Sequence, residues 1–86
     1  MERYDLLIKP SAVKEIERIG PKRDRQRVLN RIQPLADDPR PSGCEKLARQ
    51  DRYRVRQGWY RIVYAVDDRA QRVFVVKIGR RKAAYR

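Results

Sequence analysis

In the C-terminal half of the chain the sequence pattern changes to a period of two, in residues 52–56 (RYRVR), 60–66 (YRIVYAV) and 73–78 (VFVVKI). A repeat of two residues is typical of a β-strand with one side buried. Turn-forming residues separate the segments, Gln57-Gly58 in the first case and residues 67–71 in the second. The sequence therefore predicts three strands joined as an antiparallel meander.

The N-terminal half predicts one strand and two helices. Residues 4–8 (YDLLI) form a short strand that Pro10 ends, and Ser11 is the expected N-cap of the first helix. Gly20-Pro21 separates the helices, with Pro21 in the first turn of the second, and residues 37–43 are a loop by composition. The apolar residues at helical spacing are Ala12, Ile16 and Ile19, then Val28, Leu29, Ile32 and Leu35. We predict an α+β fold in which a helical hairpin covers one face of a small, curved sheet.

Length and charge limit the possible functions. With 86 residues we expect a single domain over residues 1–86, too small to include a second catalytic unit. The formal charge is +12, of which +3 falls on residues 1–43 and +9 on residues 44–86. An excess of this size destabilises a compact state by self-repulsion unless a polyanion binds. We therefore expect a polyanionic partner and an anion-facing surface that is built mainly from the C-terminal half.

The chemistry of the side chains excludes several kinds of site. Cys44 is the only cysteine and there is no histidine, so Cys/His zinc sites are excluded, and we predict neither metal nor cofactor. Without a histidine to activate it, Cys44 is expected to be a partly buried loop residue rather than a nucleophile. The N-terminus, MERYD, has no signal-peptide or membrane-span character, so we expect a cytoplasmic protein.

One side of the predicted meander is rich in arginine. With Gln57-Gly58 as a two-residue turn, Arg54 lies opposite Arg61, an arrangement that destabilises the sheet unless an anion binds there. The helix-facing side then carries Tyr53, Val55, Tyr60 and Ile62, and the other side carries Arg52, Arg54, Arg56, Trp59, Arg61 and Val63. A guanidinium group binds phosphate bidentately, through two parallel hydrogen bonds to its oxygens. We call the side with Arg52, Arg54, Arg56 and Arg61 the arginine face and predict that it binds phosphate.

Each of these assignments has a simpler interpretation. A single arginine on this face is more simply a solvated strand residue, whereas the group, together with Arg80, Arg81 and Lys82, favours a binding site. We predict that no carboxylate shares this face to neutralise it. Trp59, beside a turn, is more often a packing residue than a base-stacking one, and Tyr85 is as readily a docked tail residue as a functional one.

At this point the pattern resembles a known family. Residues 53–56 (YRVR), 60–64 (YRIVY) and 75–81 (VVKIGRR), followed by Tyr85, are similar to the basic strand, the Tyr-Arg-aliphatic-aliphatic-Tyr strand and the aliphatic-Gly-basic-Arg end of RelE/ParE toxins. Residues 8–12 (IKPSA) are similar as well, so the likeness covers nearly the whole chain. In its RelE branch it implies a ribosome-dependent endoribonuclease that cuts mRNA and inhibits translation, and that an antitoxin holds inactive.

The resemblance also assigns residues. The functional positions of the RelE branch correspond here to Arg54, Arg56, Arg61, Arg81 and Tyr85, and we expect Arg52, Arg80, Lys82 and Trp59 to contribute to RNA binding. RelE enzymes usually carry lysine at the first two positions, and arginine does not readily release a proton, so the general base is not assigned.

A mechanism that the residues permit uses the substrate itself as the nucleophile. The 2′-hydroxyl of RNA attacks the adjacent phosphate when it is held in line, while arginines position the strand and stabilise the developing charge. Two other functions stay open: inhibition of DNA gyrase, as in the ParE branch, and non-catalytic binding of nucleic acid. The family implies an acidic antitoxin in a hetero-oligomeric complex. The open edge expected of so small a sheet favours docking by strand addition beside helix docking.

Overall fold

The computed structural model describes residues 3–47 and 52–80, which fold as two α-helices on one face of a five-stranded sheet. The elements in chain order are β1 (Asp5–Ile8), α1 (Pro10–Glu17), α2 (Lys22–Ile32), a short 3₁₀ helix (Gln33–Ala36), β2 (Glu45–Lys46), β3 (Arg52–Gln57), β4 (Tyr60–Asp67) and β5 (Arg72–Arg80). The predicted α+β fold is confirmed. No helix in this part of the chain is long and apolar enough to cross a membrane.

The strands are ordered β1-β5-β4-β3-β2 across the sheet. The predicted antiparallel meander of β3, β4 and β5 is confirmed, and β1 joins it in parallel, with Asp5 beside Arg72 and Ile8 beside Val75. β5 continues beyond the end of β1, and there the Glu15 carboxylate of α1 accepts a hydrogen bond of 2.8 Å from the Ile78 backbone N–H. This contact covers a polar edge that would otherwise be open.

The core lies between the helices and the inner side of the sheet. The inward residues of β3, β4 and β5 are all buried, and Val55, Ile62 and Val75 are fully so. They pack against Ala12, Ile16, Ile19, Val28, Ile32 and Leu35, which the helical spacing had placed on the inner side of the helices. The alternation in the sequence therefore reflects burial on the inner side and solvent on the outer side.

A polar network fixes the predicted loop at residues 37–43 to the sheet. The buried Tyr64 hydroxyl donates to the Pro39 carbonyl oxygen at 2.7 Å, and the ring of Tyr64 stacks on Tyr53 at 5.8 Å between centroids. Arg40 donates from Nε to the Tyr53 hydroxyl at 2.9 Å and pairs through Nη2 with Asp68 at 2.9 Å. Asp68 also accepts a hydrogen bond from Tyr4. The loop that leads to β2 is thus held at several points.

The start of α1 was predicted wrongly, and one strand was not predicted. Ser11 does not cap α1: the helix already begins at Pro10, and no side chain caps its start. Proline suits a first helical position, since its φ is fixed and its missing N–H would have no helical partner. The strand β2 was not predicted, because two residues are too few to show a period.

Candidate nucleic-acid interface

The arginine face is the side of β3 and β4 that faces away from the helices, as predicted, but its register differs from the prediction. Arg56 lies opposite Arg61, whereas Arg54 lies opposite Val63. The hairpin turn is Gly58-Trp59 rather than Gln57-Gly58, and Gly58 has a φ of +59°, as at the first central position of a type II′ turn. Moving the turn by one residue changes every pairing by two, so each side chain stays on its predicted side.

The directly opposed pair of arginines is therefore Arg56 and Arg61. Like charges facing each other across two strands destabilise a sheet. The Arg61 Nε atom is also buried and has no hydrogen-bond partner within the described residues. A buried donor without an acceptor costs roughly 1–3 kcal/mol. Both features favour an anion as the missing partner of Arg61.

Space for such an anion lies on the other flank of Arg61. Its neighbour on β5 is Gly79, on the same side of the sheet. A Cβ atom placed on Gly79 would have no heavy-atom neighbour within 4 Å. The φ of Gly79 is not in the left-handed region, so the backbone does not require glycine here. Arg61 thus lies between a second arginine and an open volume.

A carboxylate also lies on the arginine face, and the sequence did not predict this carboxylate. Glu45 of β2 lies beside Arg54, accepts a hydrogen bond from its Nε at 3.0 Å and also contacts its Nη2. The hydrogen bond from Arg54 holds the pKa of the Glu45 carboxyl below its usual range, and the nearby charges of Arg56 and Arg61 lower it further. Glu45 is therefore ionised at neutral pH, and its partner is one of the arginines proposed to bind RNA.

The other predicted site residues are not all brought together. Arg52 is exposed on the arginine face opposite Ala65, whereas Trp59 lies in the hairpin turn rather than above the strands. Of Arg80 only the backbone is described, at the end of β5 and opposite Tyr60. Arg81, Lys82 and Tyr85 lie outside the described residues. The described site therefore consists of Arg54, Arg56 and Arg61 with Glu45.

No metal-binding group accompanies these side chains in the part of the chain that the structure describes: nowhere in it do three or more His, Cys, Asp or Glu side chains cluster. Cys44 is a half-buried free thiol in the loop before β2, as predicted. What the arrangement offers is several guanidinium groups and one carboxylate on an open sheet surface. Such groups bind a phosphodiester strand and can stabilise charge on it.

Comparison with known proteins decides the family. The model of a family described as the ParE toxin of type II toxin-antitoxin systems matches residues 6–85. The chain belongs to the RelE/ParE toxin family. It is the toxin component of a type II toxin–antitoxin system.

Relatives within the RelE/ParE family are similar over nearly the whole chain. Toxin RelE of Mycobacterium tuberculosis is 35% identical, over 96% of this chain and 87% of the relative. A RelE–RelB complex from Pyrococcus horikoshii contains a chain that superimposes with a TM-score of 0.83 at 28% identity, covering 92% of this chain and 96% of that one. The isolated Escherichia coli RelE toxin gives 0.75 at 29% identity, covering 90% and 83%. The predicted family is confirmed.

Sequence reasoning missed Glu45 for a physical reason. The residue follows a segment whose prolines and glycine indicate a loop, and it reaches the arginine face only through a two-residue strand. The one available signal was its position directly after the loop and shortly before a strand with three arginines. In this RelE/ParE toxin the prediction that no carboxylate serves the site is therefore wrong.

Proposed function

We propose that this toxin is a ribosome-dependent endoribonuclease that cuts mRNA and thereby stops translation in the cytoplasm. One observation carries the proposal: Arg61 has a buried Nε that finds no partner among the described residues, faces Arg56 across the hairpin and borders the open space at Gly79. A protein that used Arg61 only for folding would provide an acceptor for that donor. A phosphate of the substrate provides it here.

The mechanism follows from the residues on the face. Arg56 and Arg61 hold the oxygens of the scissile phosphate and stabilise the negative charge that develops when the 2′-hydroxyl attacks. Arg54 holds the neighbouring backbone. The attack forms a bond between the 2′-oxygen and phosphorus and breaks the bond to the 5′-oxygen, which leaves a 2′,3′-cyclic phosphate. The 2′-hydroxyl proton passes to a base, and the departing 5′-oxygen takes a proton from solvent to become a 5′-hydroxyl.

Glu45 is our candidate for that base. It is the carboxylate that the described residues bring to this face, and its lowered pKa keeps it deprotonated at neutral pH. A carboxylate with a lowered pKa is a weak base, so positioning and charge stabilisation carry the larger part of the rate. This assignment fills the role that the arginines at positions 54 and 56 do not fill.

The C-terminal residues have proposed roles that follow from the family resemblance. Arg81 is a second ligand of the scissile phosphate, and Tyr85 stacks on a base beside the cut. Arg80 and Lys82 contact the RNA backbone, as does Arg52 at the start of β3. An unperturbed phenol titrates near ~10, so stacking suits Tyr85 better than proton transfer at neutral pH.

The proposed regulator is an acidic antitoxin in a hetero-oligomeric complex. The similar Pyrococcus horikoshii toxin was solved in complex with RelB. A chain of the intact Escherichia coli RelBE toxin–antitoxin complex also superimposes on this chain, with a TM-score of 0.76 at 26% identity. On this chain, acidic side chains would neutralise the arginine face. The outermost strands of the described sheet, β1 and β2, are available for strand addition.

The test is primer extension on mRNA bound to purified translating ribosomes. Wild-type protein is expected to cut within the decoding site, and Arg61→Ala is expected to lose the cuts by roughly 100-fold or more. Arg69→Ala is the matched control, because Arg69 is exposed in the β4–β5 turn, away from the arginine face. Its cuts should equal those of the wild type.

Absence of cuts by folded wild-type protein would overturn the nuclease proposal. Trapped DNA–gyrase complexes in the same preparation would then favour the ParE branch. Salt-dependent binding of nucleic acid with neither cleavage nor gyrase trapping would favour a plain binding module.

A further inference from the structure

A small cavity lies at the tip of the β3–β4 hairpin, where the turn meets helix α2. Its volume is about 230 Å³, and it is lined by Asp24, Arg27, Gln57, Gly58, Trp59 and Tyr60. Pockets for drug-sized ligands start at roughly 300 Å³, so this one suits a single ring system. No role has been assigned to it above.

Trp59 is the unusual feature of the cavity. Its side chain is 60% exposed, more than any other large apolar residue in the described part of the chain. The turn geometry requires a glycine at position 58, whose φ is +59°, but imposes nothing that tryptophan satisfies at position 59. An exposed indole on a rigid hairpin tip is costly to keep in water and gains free energy when a flat ring covers it.

The polar groups of the cavity match a nucleotide. The Arg27 guanidinium suits a phosphate, and the Asp24 carboxylate and the Gln57 amide offer hydrogen-bonding partners for the edge of a base. Indole provides the stacking surface, which is sequence-tolerant because every base has a π-face. Helix α2 also reaches this edge of the sheet further along, where Arg31 donates to the Arg56 carbonyl oxygen.

The cavity lies on the helix side of the hairpin tip, opposite the arginine face, and the turn that carries Trp59 is where the two sides of the hairpin meet. The last pair before the turn is Gln57 opposite Tyr60, and the next pair is Arg56 opposite Arg61. Two residues along a strand span about 7 Å, which is close to the spacing of neighbouring phosphates in an extended single strand. A strand whose phosphate lies at Arg61 therefore reaches the hairpin tip with the next nucleotide.

We propose that this cavity is a subsite for one unpaired base of single-stranded RNA, which stacks on Trp59 beside the phosphate held on the arginine face. The inference rests on the proposed function in so far as the strand is RNA. It adds a base-binding position outside the catalytic group, so cleavage and base stacking can be measured separately.

The test uses the emission of Trp59, which is the only tryptophan of the chain. The probes are 2′-O-methyl hexanucleotides, which cannot be cleaved, in an adenine form and in an abasic form of the same length and charge. The adenine form is expected to quench the emission saturably, and the abasic form is not. Trp59→Ala, followed with a dye on the RNA, should lose about tenfold in affinity for the adenine form.

Two variants serve as controls. Trp59→Phe keeps an aromatic surface and should bind within about threefold of the wild type. Val13→Ala removes an exposed apolar side chain, 37% exposed, from helix α1 on the face of the sheet opposite the arginine face, and should bind as the wild type does.

Equal quenching by both probes, or undiminished affinity of Trp59→Ala, would overturn the subsite. If Trp59→Ala instead lost only the antitoxin, the residue would be a protein contact and the proposal would be wrong. Ribosomal cleavage with no quenching would leave the proposed function intact and remove the subsite. Quenching without cleavage would do the opposite.

Discussion

The two sides of strand β4 differ in whether the rest of the fold supplies the contacts that their side chains need. On the inner side Tyr60, Ile62 and Tyr64 are buried, and the Tyr64 hydroxyl has a hydrogen-bond acceptor. On the outer side Arg61 faces another arginine, and its buried Nε has no acceptor in the part of the chain that the structure describes. The fold satisfies the inner side, whereas on the outer side we propose that a ligand supplies the acceptor. We infer that selection for binding determines the outer side.

A comparison of two arginines makes the same point. Arg40 pairs with Asp68, donates to Tyr53 and lies 5.1 Å above the Tyr53 ring, so each group that it needs is supplied by the chain. Among the described residues, the buried Arg61 Nε has no hydrogen-bond partner. Arg40 is thus expected to be a structural residue and Arg61 a functional one.

The largest expected effect is the loss of stability caused by a substitution on the inner side of β4. Ile62→Ala leaves a cavity at a fully buried position and is expected to lower the free energy of unfolding by about 3 kcal/mol. Val63→Ala, one residue further and on the outer side, should cost less than about 1 kcal/mol. Urea denaturation measures both. Equal losses would mean that the two sides do not differ as described.

The next effect separates Glu45 from the arginines. Glu45→Gln removes the carboxylate that holds Arg54, so RNA affinity should rise, while cleavage on ribosomes should fall about 100-fold through loss of the base. Glu17→Gln removes the same charge from α1, behind the sheet, and should change neither. A parallel fall of affinity and cleavage in Glu45→Gln would assign Glu45 a purely structural role.

A smaller effect is expected at the open space beside Arg61. Gly79→Val fills the volume in which a Cβ meets no neighbour, so RNA affinity should fall about tenfold without loss of stability. Gly79→Ala should show a weaker form of the same change. Binding of labelled RNA and thermal unfolding distinguish this outcome from simple misfolding, in which stability would fall with affinity.

The smallest effect concerns the structural arginine. Hydrogen bonds from Arg40 and Tyr4 hold the pKa of Asp68 below its usual range. A carboxyl with a lowered folded pKa stabilises the fold above its unfolded pKa and loses that contribution as the pH falls through the folded pKa. Asp68→Asn should therefore unfold more easily than the wild type at pH 7, and the gap should close at acid pH. A gap that is independent of pH would refute the ion pair as its cause.

Much of the fold followed from the sequence because its signals are local. The alternation in residues 52–63 indicated which side of β3 and of the start of β4 is buried, and that assignment survived an error in the register, since a shift of the turn by one residue preserves it. The helical spacing of Ala12, Ile16, Val28 and Ile32 likewise identified their buried faces correctly.

What the sequence could not provide depends on contacts between distant segments. The parallel pairing of β1 with β5 joins residues far apart in the chain, and no local pattern indicates it. The arginines were correctly assigned to one face, but the pairing of Arg56 with Arg61 and the contact of Glu45 with Arg54 depend on the register and on a two-residue strand. The roles of these residues in catalysis stay predictions.

The most direct test of the difference between the two sides is the stability of Arg61→Gln without RNA, measured by urea denaturation beside the wild type. Arg61→Gln removes a buried donor that has no partner among the described residues, and it also removes the repulsion from Arg56. The free energy of unfolding should therefore stay equal or rise by up to about 1 kcal/mol. The same variant should bind RNA more weakly. A loss of stability of more than about 1 kcal/mol would show that Arg61 serves the fold, and would contradict the account.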